Sequence, residues 1–149
     1  MGTNLITNHL TIPSEFGYER IAVSIAATIA QAVHIPPQRI KDLEVAVSEA
    51  CINAFEHAYP TEAENEVVVT ITVDDSTFAV DVKDFGVGGV TFDPNRKRDA
   101  WSRGWGLHLI QTHVDTVVVQ SAPGQGTLIH MTIRYGDTDD GGNKAGARG

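Results

Sequence analysis

A chain of 149 residues, 42% hydrophobic and 20% charged, has the size and make-up of one soluble domain around one core. Its formal net charge of −8 argues against a nucleic-acid binder, which needs clustered Lys and Arg. A single cysteine, Cys51, cannot close an internal disulfide, and the longest apolar run, Ile21 to Val33, is short of the about 20 residues that cross a bilayer.

No charged segment followed by an apolar stretch opens the chain, so a cytoplasmic protein without signal peptide or membrane span is expected. Asn4 to Ile12 places Ile6, Leu10 and Ile12 on one side of a strand. Pro13-Ser14-Glu15 reads as a helix entry with Ser14 as cap. A helix from Phe16 to His34 carries Ile21, Ile25, Thr28, Ile29 and Ala32 at helical spacing, and Pro36-Pro37 ends it. A second helix from Gln38 to Tyr59 has Leu43, Val47, Ala50, Ala54 and Ala58 as its apolar stripe and stops at Pro60.

Two strands, Glu66 to Val73 and Thr77 to Lys83, are joined by an Asp74-Asp75-Ser76 turn. Asp84 to Gly106 has five glycines, a charged run from Arg96 to Asp99 and no apolar period, the character of a functional loop. A short helix from Leu107 to Val114 follows. Strands Thr116 to Ser121 and Thr127 to Tyr135 are joined by Pro123-Gly124-Gln125-Gly126, and the tail from Gly136 reads as disordered. This order predicts a two-layer α+β sandwich, with a mixed, mostly antiparallel sheet and helices on one face.

Four constellations carry chemistry. Glu49, Asn53 and His57 fall at i, i+4 and i+8, one stripe of the second helix. The amide oxygen of Asn53 suits Mg²⁺, and Glu49 can accept a proton from an attacking hydroxyl. A polar outer helix face explains the same spacing. Asp84-Phe85-Gly86-Val87-Gly88-Gly89 follows a strand, where a carboxylate can accept from an exocyclic amine such as that of adenine. A glycine-rich turn explains it equally. Arg103-Gly104-Trp105-Gly106-Leu107 opens a helix, where backbone N–H groups can approach phosphate. Neither glycine cluster completes a P-loop or a dinucleotide fingerprint. Gly124-Gln125-Gly126-Thr127 leads into the last strand, and a hairpin turn accounts for it.

In this order the four boxes resemble the ATP site of the GHKL superfamily, whose fold is the Bergerat sandwich. The stretch from Val47 to Tyr59 resembles, more narrowly, the bacterial anti-sigma-factor serine kinases. The resemblance implies an ATP-binding kinase domain over residues 1–135, with 136–149 as the tail. By position, Asn53 would ligate Mg²⁺, Asp84 would bind the adenine amine, and Gly86 and Gly88 would shape the purine pocket. Arg103, Gly104, Gly106 and Leu107 would border the triphosphate. Thr127 would support Asp84, and Glu49 would be the general base. The resemblance gives His57 no chemical role.

The implied function is a serine protein kinase and anti-sigma factor that phosphorylates a STAS-type antagonist, with a sigma factor as competing partner and a homodimer as assembly. The alternative is a nucleotide-dependent protein-binding module with little kinase activity. A sensor histidine kinase fits less well, since no long helical hairpin bearing a phosphoacceptor histidine precedes the ATP domain.

Overall fold

The structure, a computed structural model, describes residues 5–58, 66–86 and 103–136. The elements run β1 (Ile6–Pro13), α1 (Glu19–Ala32), α2 (Pro37–Ala58), β2 (Glu66–Val73), β3 (Thr77–Asp84), α3 (Arg103–His113), β4 (Thr116–Ser121) and β5 (Thr127–Arg134). The strands form one sheet in the order β1-β2-β3-β5-β4, and every neighbouring pair is antiparallel. The expected α+β sandwich is present, and among the described residues its sheet is wholly antiparallel.

Period-two alternation sets the sheet's inner face. Val67, Val69, Ile71 and Val73 of β2, Phe78, Val80 and Val82 of β3, and Ile129, Met131 and Ile133 of β5 are buried. Helix α2 lies across these strands, with α1 and α3 packed along its sides. Small residues let the helices approach closely: Ala22, Ala26, Ala27 and Ala30 of α1 and Ala46, Ala50 and Ala54 of α2 are buried.

Helix boundaries differ from expectation for local reasons. Helix α1 begins at Glu19 rather than Phe16, because Gly17 takes φ +108° and breaks the helical path. Ser14 is not its cap: the Ser14 hydroxyl is buried with no hydrogen-bond partner among the described residues. The Glu19 carboxylate reaches back instead, accepting from Gly17 N–H at 2.7 Å. At the other end His34, expected as the last helical residue, sits outside at φ +66°. Ile35 N–H donates to Ala30 O at 3.0 Å and His34 N–H to Gln31 O at 3.1 Å, a Schellman closure reached before Pro36. Pro37 fills the first turn of α2, where its missing N–H costs nothing.

Helix α3 starts at Arg103, so Gly104-Trp105-Gly106 lies in its first turns rather than ahead of it. Each glycine costs a helix about 1 kcal/mol, which burial of Leu107 and Ile110 against α2 offsets. Strand β3 runs through Asp84, one residue further than expected. Gly136, expected as the first tail residue, is held by Ser76 O, to which its N–H donates at 3.4 Å. Tyr59, Pro60, the run from Arg96 to Asp99 and residues 137–149 lie outside the described residues. None of the described helices is long and apolar enough to cross a membrane.

Candidate functional site

Asp84 and Thr127 occupy inward positions at one end of the sheet, where alternation calls for apolar residues. They are directly paired across β3 and β5, and Thr127 pairs in turn with Ser121 of β4. Among the described residues the buried polar or charged side chains are Asn53 (3% exposed), Asp84 (1%) and Thr127 (1%). Each is a residue that the sequence singled out for ligand chemistry. Burying a carboxylate is costly unless it is hydrogen-bonded, so a fold keeps one there for a reason other than packing.

The turn after β3 holds the carboxylate. Gly86 N–H donates to Asp84 Oδ1 at 2.9 Å, so the chain curls back over its own aspartate. Thr127 Oγ1 lies 2.8 Å from Ser121 Oγ, a hydroxyl pair beside Asp84. The β4–β5 connection closes in two steps. Gln125 N–H donates to Ala122 O at 2.9 Å with Gly124 at φ +78°, a turn of the Pro-Gly kind. Gly126 then takes φ +75° and approaches β3 so closely that a Cβ there would lie 2.1 Å from Asp84 O.

Asn53 is buried at 3% exposure, which rules out an outer helix face for it. Its Nδ2 donates to Glu49 O at 3.0 Å, turning the amide oxygen away from the helix backbone. That oxygen is a hard donor of the kind Mg²⁺ takes alongside phosphate and water, so the residue fits the ion. Glu49 is half-buried. Burial, and secondly the negative charge of Glu56, push its carboxyl above the ordinary carboxylate range, the direction a general base needs.

The other sequence-selected positions divide. Leu107 is in the core at 3% exposure, so only its backbone can meet a ligand. Arg103, Gly104 and Gly106 have helical backbone in α3, while the side chains of Arg103 and His57, and all of Gly88, lie outside the described residues. Three partners escaped the sequence reading: Ser121 on Thr127, the close approach of Gly126, and Lys83, whose Nζ donates to Gln125 O at 2.8 Å. Only the Gly126 approach left a trace, as the second glycine of Gly-Gln-Gly-Thr.

Residues 12–133 match the family described as Histidine kinase-like ATPase domain. An "Anti-sigma F factor" of Pasteuria penetrans is 36% identical over 118 residues, covering 73% of this chain and 77% of its own length. A "Serine-protein kinase RsbW" of Bacillus velezensis is 35% identical over 143 residues, covering 89% of this chain and 88% of its own. Among solved structures, one of RsbU and RsbW domains from Mycobacterium tuberculosis superposes with a TM-score of 0.67 at 22% identity. It covers 87% of this chain, and the chain spans 32% of that protein's length, so the likeness concerns the fold alone. The histidine kinase domain of an Erythrobacter litoralis blue-light activated histidine kinase gives a TM-score of 0.54 at 21% identity, over 83% of this chain and 62% of the other.

Proposed function

The chain belongs to the histidine kinase-like ATPase domain family, and from that membership we propose that it is an anti-sigma factor and serine protein kinase using Mg²⁺ and ATP. One observation carries the reading: the buried polar side chains of the described residues are Asn53, Asp84 and Thr127, an amide oxygen, a carboxylate and a hydroxyl set among core residues. The names of the Pasteuria and Bacillus relatives, an anti-sigma factor and a serine-protein kinase, support this role.

In this reading the Asp84 carboxylate accepts from the exocyclic amine of adenine, held in place by Gly86 N–H and backed by Thr127 and Ser121. Gly86 and Gly88 shape the purine pocket. The first turn of α3, with Arg103 and Gly104, presents backbone N–H groups to the phosphates, and Gly106 and Leu107 border them. Asn53 would hold Mg²⁺, which would offset phosphate charge. Glu49 removes the proton of a partner's serine as its Oγ bonds to the γ-phosphorus, the bond to ADP breaks, and phosphoserine and ADP leave. Burial of Glu49 raises its basicity for this step.

The serine belongs, by the same reading, to a STAS-type antagonist whose unphosphorylated form competes with a sigma factor for this protein. The protein works as a cytoplasmic homodimer. Incubating it with Mg²⁺, γ-labelled ATP and candidate antagonists tests the reading. Label on a partner serine, lost in Glu49→Gln with ATP affinity retained, is the expected outcome. Full activity in Glu49→Gln removes the base assignment, and ATP binding without transfer to any antagonist leaves the nucleotide-dependent binding module.

A further inference from the structure

The face of the sheet opposite the helices carries a lysine that touches the supports of Asp84 from behind. Lys83 immediately precedes Asp84 in β3, so its side chain projects to the other face. Its Nζ donates to Gln125 O at 2.8 Å, in the connection between β4 and β5. The same nitrogen lies 5.0 Å from the centroid of the Phe85 ring, within cation–π reach. Phe85 is 59% exposed, so the ammonium over its ring is a restraint that the core does not duplicate by burying it.

These two contacts fall on either side of Asp84. Gln125 precedes Gly126, which leaves no room for a Cβ beside Asp84 O, and Phe85 precedes Gly86, whose N–H holds Asp84 Oδ1. The β4–β5 connection and the β3 exit are both loops, and a carboxylate that reads a base through them needs both fixed to a few tenths of an ångström. Ser121 and Thr127 tie the connection from the inner face, and Lys83 ties it from the outer face.

Resting on the nucleotide-site reading above, we infer that Lys83 is a positioning residue for base recognition: it clamps the two loops between which the Asp84 carboxylate is held. Its ammonium supplies both contacts from one point, and Arg can reproduce them, since a guanidinium also donates to a carbonyl and stacks on a ring. Met preserves the aliphatic stem and loses both.

The experiment compares ATP with inosine triphosphate, which presents a carbonyl where adenine has its amine. Affinities for both are measured on wild type, Lys83→Met and Lys83→Arg, together with thermal midpoints. The clamp predicts that Lys83→Met lowers the preference for ATP by about fivefold, the scale of one ordinary hydrogen bond, since the Lys83 contact is exposed to solvent. Lys83→Arg restores it. An unchanged preference in Lys83→Met overturns the inference. So does an equal loss for both nucleotides with a lowered midpoint, which marks a structural role only. Wild type that binds neither nucleotide refutes the site reading itself, and the clamp with it; wild type that prefers ATP beside a Lys83→Met that keeps the same preference refutes the clamp alone.

Discussion

Gly124 and Gly126 offer a matched pair for testing how the hairpin supports Asp84. They stand two residues apart with nearly equal backbone angles, φ +78° and +75°. A Cβ on Gly124 meets nothing within 4 Å, whereas one on Gly126 would lie 2.1 Å from Asp84 O and 2.9 Å from Asp84 C and Phe85 Cα. Placing alanine in the left-handed region costs about 1–2 kcal/mol, and stiffening the unfolded chain returns about 0.4–1 kcal/mol. Gly124→Ala should therefore cost roughly 1 kcal/mol. Gly126→Ala carries the same penalty plus a clash with backbone that has no rotamer to yield, worth about 1–3 kcal/mol more. Urea unfolding of the two variants gives the difference directly, provided their slopes agree. ATP titration should show affinity lost in Gly126→Ala, where the displaced atoms belong to Asp84, and kept in Gly124→Ala. Equal destabilisation, or unchanged ATP affinity in Gly126→Ala, would refute the claim that this glycine exists to let the hairpin reach Asp84.

Other outcomes follow from the same structure. His34 pays the left-handed penalty at the end of α1, so His34→Gly should raise stability by about 1 kcal/mol in urea unfolding, with no change in ATP affinity. Glu49 has a raised carboxyl pKa, so the folded state holds its proton more tightly than the unfolded chain. Stability from this group is full below the unfolded value of 4.5 and falls as pH rises through the raised folded value. Glu49→Gln should thus be more stable than wild type at pH 7 while losing phosphoryl transfer. Glu56→Gln removes the second cause of that shift and should move the acid limb of the rate profile to lower pH. Arg39 pairs with Asp42 on its own helix (2.7 Å) and with Asp115 just after α3 (3.2 Å), both partly exposed, so Arg39→Ala should cost about 1 kcal/mol at low salt and less at high salt.

The sheet was legible because its strands alternate plainly: Val67 to Val73 names its buried face residue by residue. Helix ends were not. Proline and serine suggested where α1 would begin and end, but the deciding events are two positive φ angles, at Gly17 and His34, and the second is a residue type that gives no warning of one. The four boxes picked out Asn53, Asp84 and Thr127 through their order along the chain and the resemblance that order carries, since each box alone had a plain structural explanation. Spacing alone could not tell Asn53 from a solvent-facing residue; that required its burial in the folded chain. Lys83 and Ser121 were illegible for the same reason. Their partners come from strand register and from a hairpin connection 42 residues away, and neither is written locally in the chain.

The most direct test of the central claim is calorimetric titration of the protein with ATP in the presence of Mg²⁺, beside Asp84→Asn. The account predicts saturable binding of about one ATP per chain and at least about a tenfold loss in Asp84→Asn, whose amide no longer offers a carboxylate to the adenine amine. No binding by the wild type, or equal affinity in Asp84→Asn, would contradict it.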